Sequence, residues 1–445
     1  MNDIFKDFSS GTYINDFAII NDLHSLINRI KNDIFFRSYA IYFTGSMVVA
    51  FLNYLFYPVL GRMLAPADFG DIQALVSLIT QSAIILGAFS VVAVNITANT
   101  DNPYERNAII AELQKIAFWI IGIAFVLLLS SLSELKHFFN FSSIYPLVGL
   151  AVILPISAMT TFRNAYLQGS GHFTKLSISG IISSLGRLIL AAGSILLGFQ
   201  VLGATLGIVL ANVLVLVYLL YQTRDSLHLN GQASVHVLEK GSVIKELKYG
   251  LLVFFATSLV TLYYTSDILI VKHYFDATSA GLYSGISAIA KILYFAIGPS
   301  SAVLLSSVKL KQSFTENASA LKKAFVVSLV IGGLGIFTFY LFNGMVVSLM
   351  IGSRYASFAY LLPKASLVML LTAIANIFIF YFLALRRFFL IVISLVGVSF
   401  MGFILLAGHT SIDSILNNLV ISLVIVIISL VIIYAKDYFN NRPRS

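Results

Sequence analysis

The sequence predicts an all-α, polytopic integral membrane protein with about 12 transmembrane helices. Of its 445 residues, 59% are hydrophobic and only 11% are charged, whereas an average soluble domain has about 25% charged residues. A soluble fold of this length would need more polar surface to cover its core. Helices and closed β-barrels both satisfy every backbone hydrogen-bonding group in lipid. The apolar runs here are long and do not alternate between apolar and polar residues, which indicates helices rather than a β-barrel.

Runs of about 20 apolar residues predict where the chain crosses the membrane. The predicted spans are residues 39–61, 72–98, 116–132, 144–167, 176–197, 201–222, 249–271, 283–307, 324–350, 362–385, 388–408 and 414–435.

The basic residues support this number of spans. If the N-terminus is cytoplasmic, the cytoplasmic segments hold 20 lysines and arginines and the opposite loops hold five. Such an asymmetry is the positive-inside pattern, and it predicts that both termini are cytoplasmic. It also explains the net charge of +9 without nucleic acid as a partner. Anionic membrane lipids are the expected partners of these loops.

Other features of composition narrow the function further. The chain has no cysteine, which excludes disulfides and thiolate metal sites. Its first residues lack the pattern of a cleavable signal peptide. No phosphate-binding loop of the Gly-x-x-x-x-Gly-Lys-Ser/Thr type occurs, and the seven histidines lack metal-ligand spacing. We therefore expect no cofactor and no metal.

The chain divides into two similar parts with flanking segments. A shift of 211 aligns Gly70 with Gly281, and a shift of 215 aligns Tyr166 with Tyr381. Two six-helix lobes of the same orientation are predicted, an architecture found in transporters. The predicted organisation is a cytoplasmic segment 1–37, a lobe 38–222, a cytoplasmic linker 223–248, a lobe 249–435 and a tail 436–445. Apolar residues at helical spacing between Ile19 and Ile34 predict an amphipathic surface helix in the first segment.

Three motifs resemble those of a known family. They lie at residues 60–70, after the first span, at 162–173, after the fourth, and at 266–283, around the hairpin that follows the seventh. Together they are similar to polysaccharide-unit flippases of the multidrug/oligosaccharidyl-lipid/polysaccharide (MOP) superfamily, the Wzx-like polysaccharide export proteins. The sequence departs from the family pattern at Ala65, where glycine is common.

The resemblance implies a V-shaped transporter in the bacterial plasma membrane. Its substrate would be a lipid-diphosphate-linked oligosaccharide for surface polysaccharides such as lipopolysaccharide or capsule, moved by alternating access. The implied partners are the polymerase and glycosyltransferase machinery, with a proton or sodium as a coupling ion. The alternatives are a peptidoglycan lipid-precursor flippase, a drug or cation antiporter of the same superfamily, and an enzyme, namely a membrane polysaccharide polymerase or ligase. The short external loops argue against the enzyme.

Arg187 is the leading candidate for a substrate-binding residue. It lies near the middle of the fifth span, on a face of small and polar residues with the same helical spacing (Ser177, Gly180, Ser184, Ala191 and Ser194). A charge at this depth usually faces a cavity or a partner. Its planar guanidinium suits phosphate oxygens. The alternative is a structural carboxylate or carbonyl partner.

Four further residues are candidates for the substrate path. Lys291 and Asp267 share one hairpin, so that they either pair with each other or act separately, with Lys291 on phosphate and Asp267 titrating or binding a cation. Arg163 either reaches the substrate or extends to the cytoplasmic membrane surface. Asn53 either makes an interhelical hydrogen bond or lines a sugar path.

Overall fold

The computed structural model describes residues 34–224, 240–309 and 312–440. In these ranges the chain forms helices and no strand. Twelve helices are long and apolar enough to cross a membrane, which confirms the predicted number. They are α1 (Ile34–Met63), α2 (Pro66–Asn99), α3 (Pro103–Ser130), α4 (Tyr145–Gly169), α5 (Phe173–Leu196), α6 (Gln200–Thr223), α7 (Lys240–Tyr274), α8 (Ala277–Ser307), α9 (Phe314–Leu341), α10 (Leu362–Ala384), α11 (Phe389–Ala407) and α12 (Ile412–Asn440).

Three shorter elements lie between these helices. A helix of seven residues, Leu132–Phe138, follows α3, and a helix of eight residues, Asn343–Met350, follows α9. A 3₁₀ helix, Ser353–Leu361, leads into α10. Large apolar side chains such as Trp119, Leu196 and Phe403 are exposed on the outside of the bundle, as expected where a helix faces lipid.

Several helices begin or end away from the predicted span boundaries, and charged helix ends explain most of the differences. The prediction began the third span at 116 and the ninth at 324, whereas α3 begins at Pro103 and α9 at Phe314. Both omitted stretches carry several charges, so an apolar window does not include them. The ninth span was also extended to 350, although α9 ends at Leu341 and a separate short helix follows. Residues 240–248, predicted as part of a cytoplasmic linker, are helical and continue into α7, and their place in a linker remains a prediction. The predicted amphipathic helix ends at Ile34 and lies almost entirely outside the described residues.

Local sequence explains where the helices begin. Pro66 opens α2 and Asp68 lies in its first turn. Proline fits the first helical position, and an acid there complements the helix dipole. Asp276 caps α8 by accepting hydrogen bonds from the backbone N–H groups of Thr278 and Ser279, each at 3.0 Å. Ser313 begins α9 with a complete capping box.

The helix neighbours of the second six helices repeat those of the first six. In the first half α1 packs on α5, α5 on α6, α6 on α4, and α4 on α2 and α3. In the second half α7 packs on α11, α11 on α12, α12 on α10, and α10 on α8 and α9. This repetition of neighbours agrees with the internal repeat that the sequence predicts. The grouping into two lobes and the orientation in the membrane remain predictions.

Small residues allow close helix packing in the first half. Three small residues of α6 at a spacing of four (Gly203, Gly207 and Ala211) lie against α5. A Cβ atom on Gly207 would lie 2.3 Å from the backbone nitrogen of Ala191. Only glycine permits this approach of two helix backbones.

The two halves meet through α2, which packs on both α7 and α8. Gly70 and Gly281, the residues aligned by the shift of 211, touch each other where α2 crosses α8. A Cβ atom on Gly281 would lie 1.8 Å from the carbonyl oxygen of Pro66, and one on Gly70 would lie 2.9 Å from the Cα of Gly281.

A buried ion pair joins the halves at the predicted external end. Lys272 Nζ on α7 lies 2.5 Å from Asp71 Oδ1 on α2, and both side chains are fully buried. The other carboxylate oxygen, Asp71 Oδ2, accepts a hydrogen bond from the backbone N–H of Ser142 at 3.0 Å. Lys272 also donates to the carbonyl oxygen of Asn140 at 3.2 Å.

A second set of contacts joins the two halves at the same end. Arg354, in the 3₁₀ helix, donates to the carbonyl oxygens of Leu64 at 2.9 Å and Arg62 at 3.1 Å. Arg62 in turn donates to the carbonyl oxygen of Leu349. Arg62 therefore links the turn between α1 and α2 to the second half of the chain.

Candidate functional site: a cavity between the two halves

A cavity of about 570 Å³ opens between the two halves. Most of its wall comes from the first half, from α1, α2, α4 and α5, and the second half adds Tyr264 from α7 and Phe295 from α8. We call this space the central cavity. Its wall includes polar side chains at the membrane-embedded positions Asn53, Thr80 and Ser177.

Arg187 lines the central cavity, where the sequence predicts a cavity residue. Its Nη2 donates to the side-chain oxygen of Asn53 at 3.0 Å. Its guanidinium carbon lies 4.3 Å from the ring centroid of Phe56, a distance at which a cation is attracted to the ring face. Its Nε is buried and has no hydrogen-bond partner in the described part of the chain.

No carboxylate of the described residues forms an ion pair with Arg187. Among the described residues, the groups that balance this positive charge are therefore an amide dipole and an aromatic face. An uncompensated charge in a low-dielectric region is costly. Such a cation attracts anions into the cavity.

The small and polar face of α5 divides between two tasks. Ser177 and Gly180 line the central cavity and also pack on α1, where a Cβ atom on Gly180 would lie 2.9 Å from a methyl group of Val49. Ala191 and Ser194 instead pack on α6. The face thus serves both tight packing and the cavity wall, the two alternatives that the sequence leaves open.

Lys291 and Asp267 form an ion pair with each other. Lys291 Nζ lies 3.7 Å from Asp267 Oδ1, and both side chains are buried. The second oxygen of Asp267 accepts hydrogen bonds from Tyr283 at 2.9 Å and Ser287 at 2.5 Å. Neither member of the pair lines the central cavity.

Tyr264 connects this pair to the central cavity. It lines the cavity, and Lys291 Nζ lies 4.8 Å from its ring centroid. Tyr294 and Phe295 pack on the same ring, with centroid separations of 4.9 Å and 5.7 Å. The second half therefore presents an aromatic wall to the cavity and keeps its ion pair behind that wall.

The remaining candidates are separated by the fold. Asn53 lies in the cavity wall as the partner of Arg187. Arg163 lies outside the cavity, and its guanidinium donates to the hydroxyl of Thr223 at the end of α6. Tyr264 and Phe295 are cavity residues that the sequence did not single out. The internal repeat carried a signal for Tyr264, because the shift of 211 aligns it with Asn53.

A family model described as "Polysaccharide biosynthesis protein" matches residues 35–305. No curated protein matches the chain.

Several solved structures share the fold. An inward-facing multidrug resistance MATE family transporter of the MOP superfamily has a TM-score of 0.68 and 13% identity over 86% of this chain and 94% of its own. The lipid II flippase MurJ in an inward closed conformation has a TM-score of 0.67 and 13% identity over 88% of this chain and 87% of its own. An outward-facing MATE transporter gives a TM-score of 0.57 with 14% identity, covering 92% of this chain and 96% of its own.

Proposed function

Because the chain belongs to the polysaccharide biosynthesis protein family, we propose that it moves a lipid-diphosphate-linked oligosaccharide across the membrane by alternating access. The family supplies the connection with polysaccharides, and the fold of MOP-superfamily transporters and the MurJ flippase supplies the architecture. The chemistry of the cavity has to support the proposed substrate class.

The observation that carries the proposal is Arg187 in the central cavity without a carboxylate partner among the described residues. A diphosphate brings negative charge into a region where lipid does not stabilise it. A guanidinium can bind phosphate oxygens through two parallel hydrogen bonds. Arg187 already uses one nitrogen on Asn53 and leaves the buried Nε unbonded.

Asn53, Tyr57 and Tyr264 complete the surroundings of the diphosphate. All three line the central cavity. Amide and phenol groups donate and accept hydrogen bonds, and aromatic rings cover apolar sugar faces, so these side chains suit the sugar attached to the diphosphate. The two halves would exchange their contacts at the external and cytoplasmic ends while this site stays near the membrane centre.

The alternatives differ in how they fit this cavity. A drug or cation antiporter has to admit a positive substrate, which an unpaired arginine repels. A peptidoglycan lipid precursor also carries a diphosphate, so the cavity charge alone does not separate it from an oligosaccharide on a lipid. The location in a bacterial plasma membrane, the coupling ion and the partner enzymes remain predictions.

The test replaces Arg187 in cells that depend on this chain for surface polysaccharide. Arg187→Ala is expected to abolish surface glycan while membrane abundance stays normal. Arg187→Lys is expected to restore only part of the glycan, because a point charge replaces a planar fork. Arg163→Ala is the matched control, since it removes a cation of the same half that lies outside the cavity. Near-normal glycan from Arg187→Ala would contradict the proposal.

A second experiment separates the two lipid-linked substrates. The wild-type gene is expressed in cells depleted of their own lipid II flippase. We expect no rescue of growth, because the family match connects the chain with polysaccharide biosynthesis. Full rescue that depends on Arg187 would replace the oligosaccharide with the peptidoglycan precursor.

A further inference from the structure

A second polar pocket lies at the predicted cytoplasmic end of the second half, away from the central cavity. It has a volume of about 390 Å³ and lies where α9 begins and the α10–α11 loop turns. We call it the arginine pocket. The residues of its wall used below are Asn317, Tyr381, Arg386 and Arg387.

Arg386 occupies a backbone position that favours glycine. Its φ is +50°, in the left-handed region that residues other than glycine rarely adopt. The shift of 215 aligns it with Gly171 in the first half, whose φ is +73°. The first half thus has the expected glycine in this turn, whereas the second half has an arginine. Strained residues of this kind often belong to functional sites.

The Arg386 side chain makes no ion pair with any described residue. Its guanidinium carbon lies 4.8 Å from the ring centroid of Tyr249 on α7. Arg387, the next residue, does have a carboxylate partner, since its Nη2 lies 3.1 Å from Asp437 Oδ2 on α12. The arginine pocket therefore has a surplus positive charge at Arg386.

A buried hydroxyl in the same pocket lacks a hydrogen-bond partner. Tyr381 is 1% exposed, and its OH bonds to no other described group. Buried hydroxyls are nearly always bonded. Neither of two nearby acids lines the wall. Glu316 accepts from the backbone N–H of Ser313 in the capping box of α9, and Asp437 is paired with Arg387.

From these observations we propose that the arginine pocket binds a phosphate group, with Arg386 as its main cation and Tyr381 as a hydroxyl donor. A phosphate oxygen accepts charge-assisted hydrogen bonds from guanidinium and hydroxyl groups. The same chemistry is offered by the head group of an anionic lipid of the cytoplasmic leaflet and by a soluble phosphate compound. The site is separate from the central cavity and does not depend on the transported substrate.

Arg386→Gly tests the role of the charge without straining the turn. Glycine adopts the left-handed backbone without strain, so the variant loses the charge and keeps or improves the turn. Tyr381→Phe removes only the hydroxyl. Lys436→Ala is the matched control, because it removes one exposed positive charge on α12 that does not line the pocket.

The full-length protein is purified in neutral detergent and examined with two probes. Native mass spectrometry compares binding of phosphatidylglycerol with phosphatidylcholine, and thermal unfolding measures stabilisation by inorganic pyrophosphate. We expect wild-type protein and Lys436→Ala to prefer phosphatidylglycerol or to gain stability from pyrophosphate. Arg386→Gly should weaken that response by about tenfold, the equivalent of about 1.4 kcal/mol, and Tyr381→Phe should weaken it less.

The pattern across the probes identifies the source of the phosphate. A response to phosphatidylglycerol alone assigns a lipid head group, and a response to pyrophosphate in lipid-free detergent assigns a soluble compound. Both patterns support the pocket if Arg386→Gly removes them while its unfolding temperature does not fall. Equal binding by wild type and Arg386→Gly, or an equal loss in Lys436→Ala, overturns the proposal.

Discussion

The two halves of the chain keep the same helix neighbours but differ in how they treat buried charge. In the first half, Arg187 faces the central cavity beside Asn53 and Phe56 and forms no ion pair with a carboxylate of the described residues. In the second half, Lys291 is paired with Asp267 behind the cavity wall. The shift of 211 pairs Asn53 with Tyr264, Phe56 with Asp267 and Thr80 with Lys291.

This difference shows how a duplicated fold acquires a one-sided site. Packing constrains where helices touch, so the repeat survives in the helix contacts and in the crossing of Gly70 and Gly281. The residues that face the cavity differ between the halves, since the cavity wall has Arg187 and Asn53 from the first half and Tyr264 and Phe295 from the second. Each buried charge of the second half has a partner that offsets its desolvation, whereas the unpaired charge of the first half is available to a ligand.

The largest expected effect comes from breaking the ion pair of the second half. Lys291→Ala leaves the Asp267 carboxylate buried without a counter-charge, and such changes cost about 3–5 kcal/mol. Arg187→Ala strands no carboxylate and loses mainly an aromatic contact, which costs about 0.5–2 kcal/mol. Thermal unfolding of the purified variants in detergent, with membrane abundance in cells, measures the contrast.

A double variant serves as the control for that prediction. Lys291→Met with Asp267→Asn removes both charges and keeps the approximate volumes, so most of the stability should return. Equal losses for Lys291→Ala and Arg187→Ala would show that the two cations are in equivalent environments, and the comparison between the halves would fail.

The crossing of the two halves gives the next effect. Gly281→Ala places a methyl group where the Pro66 carbonyl oxygen lies, and Gly70→Ala meets the Cα of Gly281 less severely. We expect Gly281→Ala to cost about 1–3 kcal/mol by overpacking and Gly70→Ala to cost less.

Gly122→Ala is the matched control for the crossing. Gly122 lies within α3, and no atom lies within 4 Å of its added methyl group. Alanine is favoured over glycine inside a helix by about 1 kcal/mol, so this variant should be at least as stable as wild type by thermal unfolding. A Gly281→Ala variant as stable as Gly122→Ala would show that the halves do not need close contact there.

Asn53→Asp tests the unpaired state of Arg187 directly. The new carboxylate oxygen would replace an amide oxygen that lies 3.0 Å from Arg187 Nη2, which gives the first half an ion pair like that of the second. Surface glycan should fall about tenfold, the equivalent of about 1.4 kcal/mol, because the substrate must then compete with a fixed anion. Asn53→Ala should reduce glycan less. Unchanged glycan in Asn53→Asp at equal membrane abundance would contradict a role for the free charge.

Particular residues show what sequence reasoning could reach. The twelve spans follow from long apolar runs, and Arg187 with Asn53 follows from polar residues at membrane depth. The early starts of α3 and α9 were missed because hydropathy does not register a charged helical turn. The Asp71–Lys272 pair depends on which helices meet across the two halves. Hydropathy and helical spacing in a single sequence do not show which helices contact each other. Tyr264 and Phe295 were missed because an aromatic residue in a span is expected in any lipid-facing or packed position.

The smallest effect concerns two equivalent helix starts. Ala65 precedes α2 and Asp276 precedes α8, and the shift of 211 aligns them. Their backbones agree closely, with φ and ψ of −63° and 151° at Ala65 and −61° and 156° at Asp276. Asp276 caps its helix through its side chain, whereas Ala65 has no side-chain cap.

Exchanging the two caps should therefore change stability in opposite directions. Asp276→Ala is expected to lose, and Ala65→Asn to gain, about 0.5–2 kcal/mol by thermal unfolding at pH 7. Asparagine is chosen because it adds no charge beside Asp68 and Asp71. Hydrogen bonds from the Ser279 side chain and backbone hold the pKa of the Asp276 carboxyl below its usual range. The contribution of Asp276 is thus present above its unfolded pKa of about 3.9 and is lost as the pH falls through the lower folded pKa. The difference between wild type and Asp276→Ala should shrink on acidification, while the gain from Ala65→Asn, which does not titrate, should persist. A gain from Ala65→Asn that disappears at the same pH would show that the two helix starts are not capped in the same way.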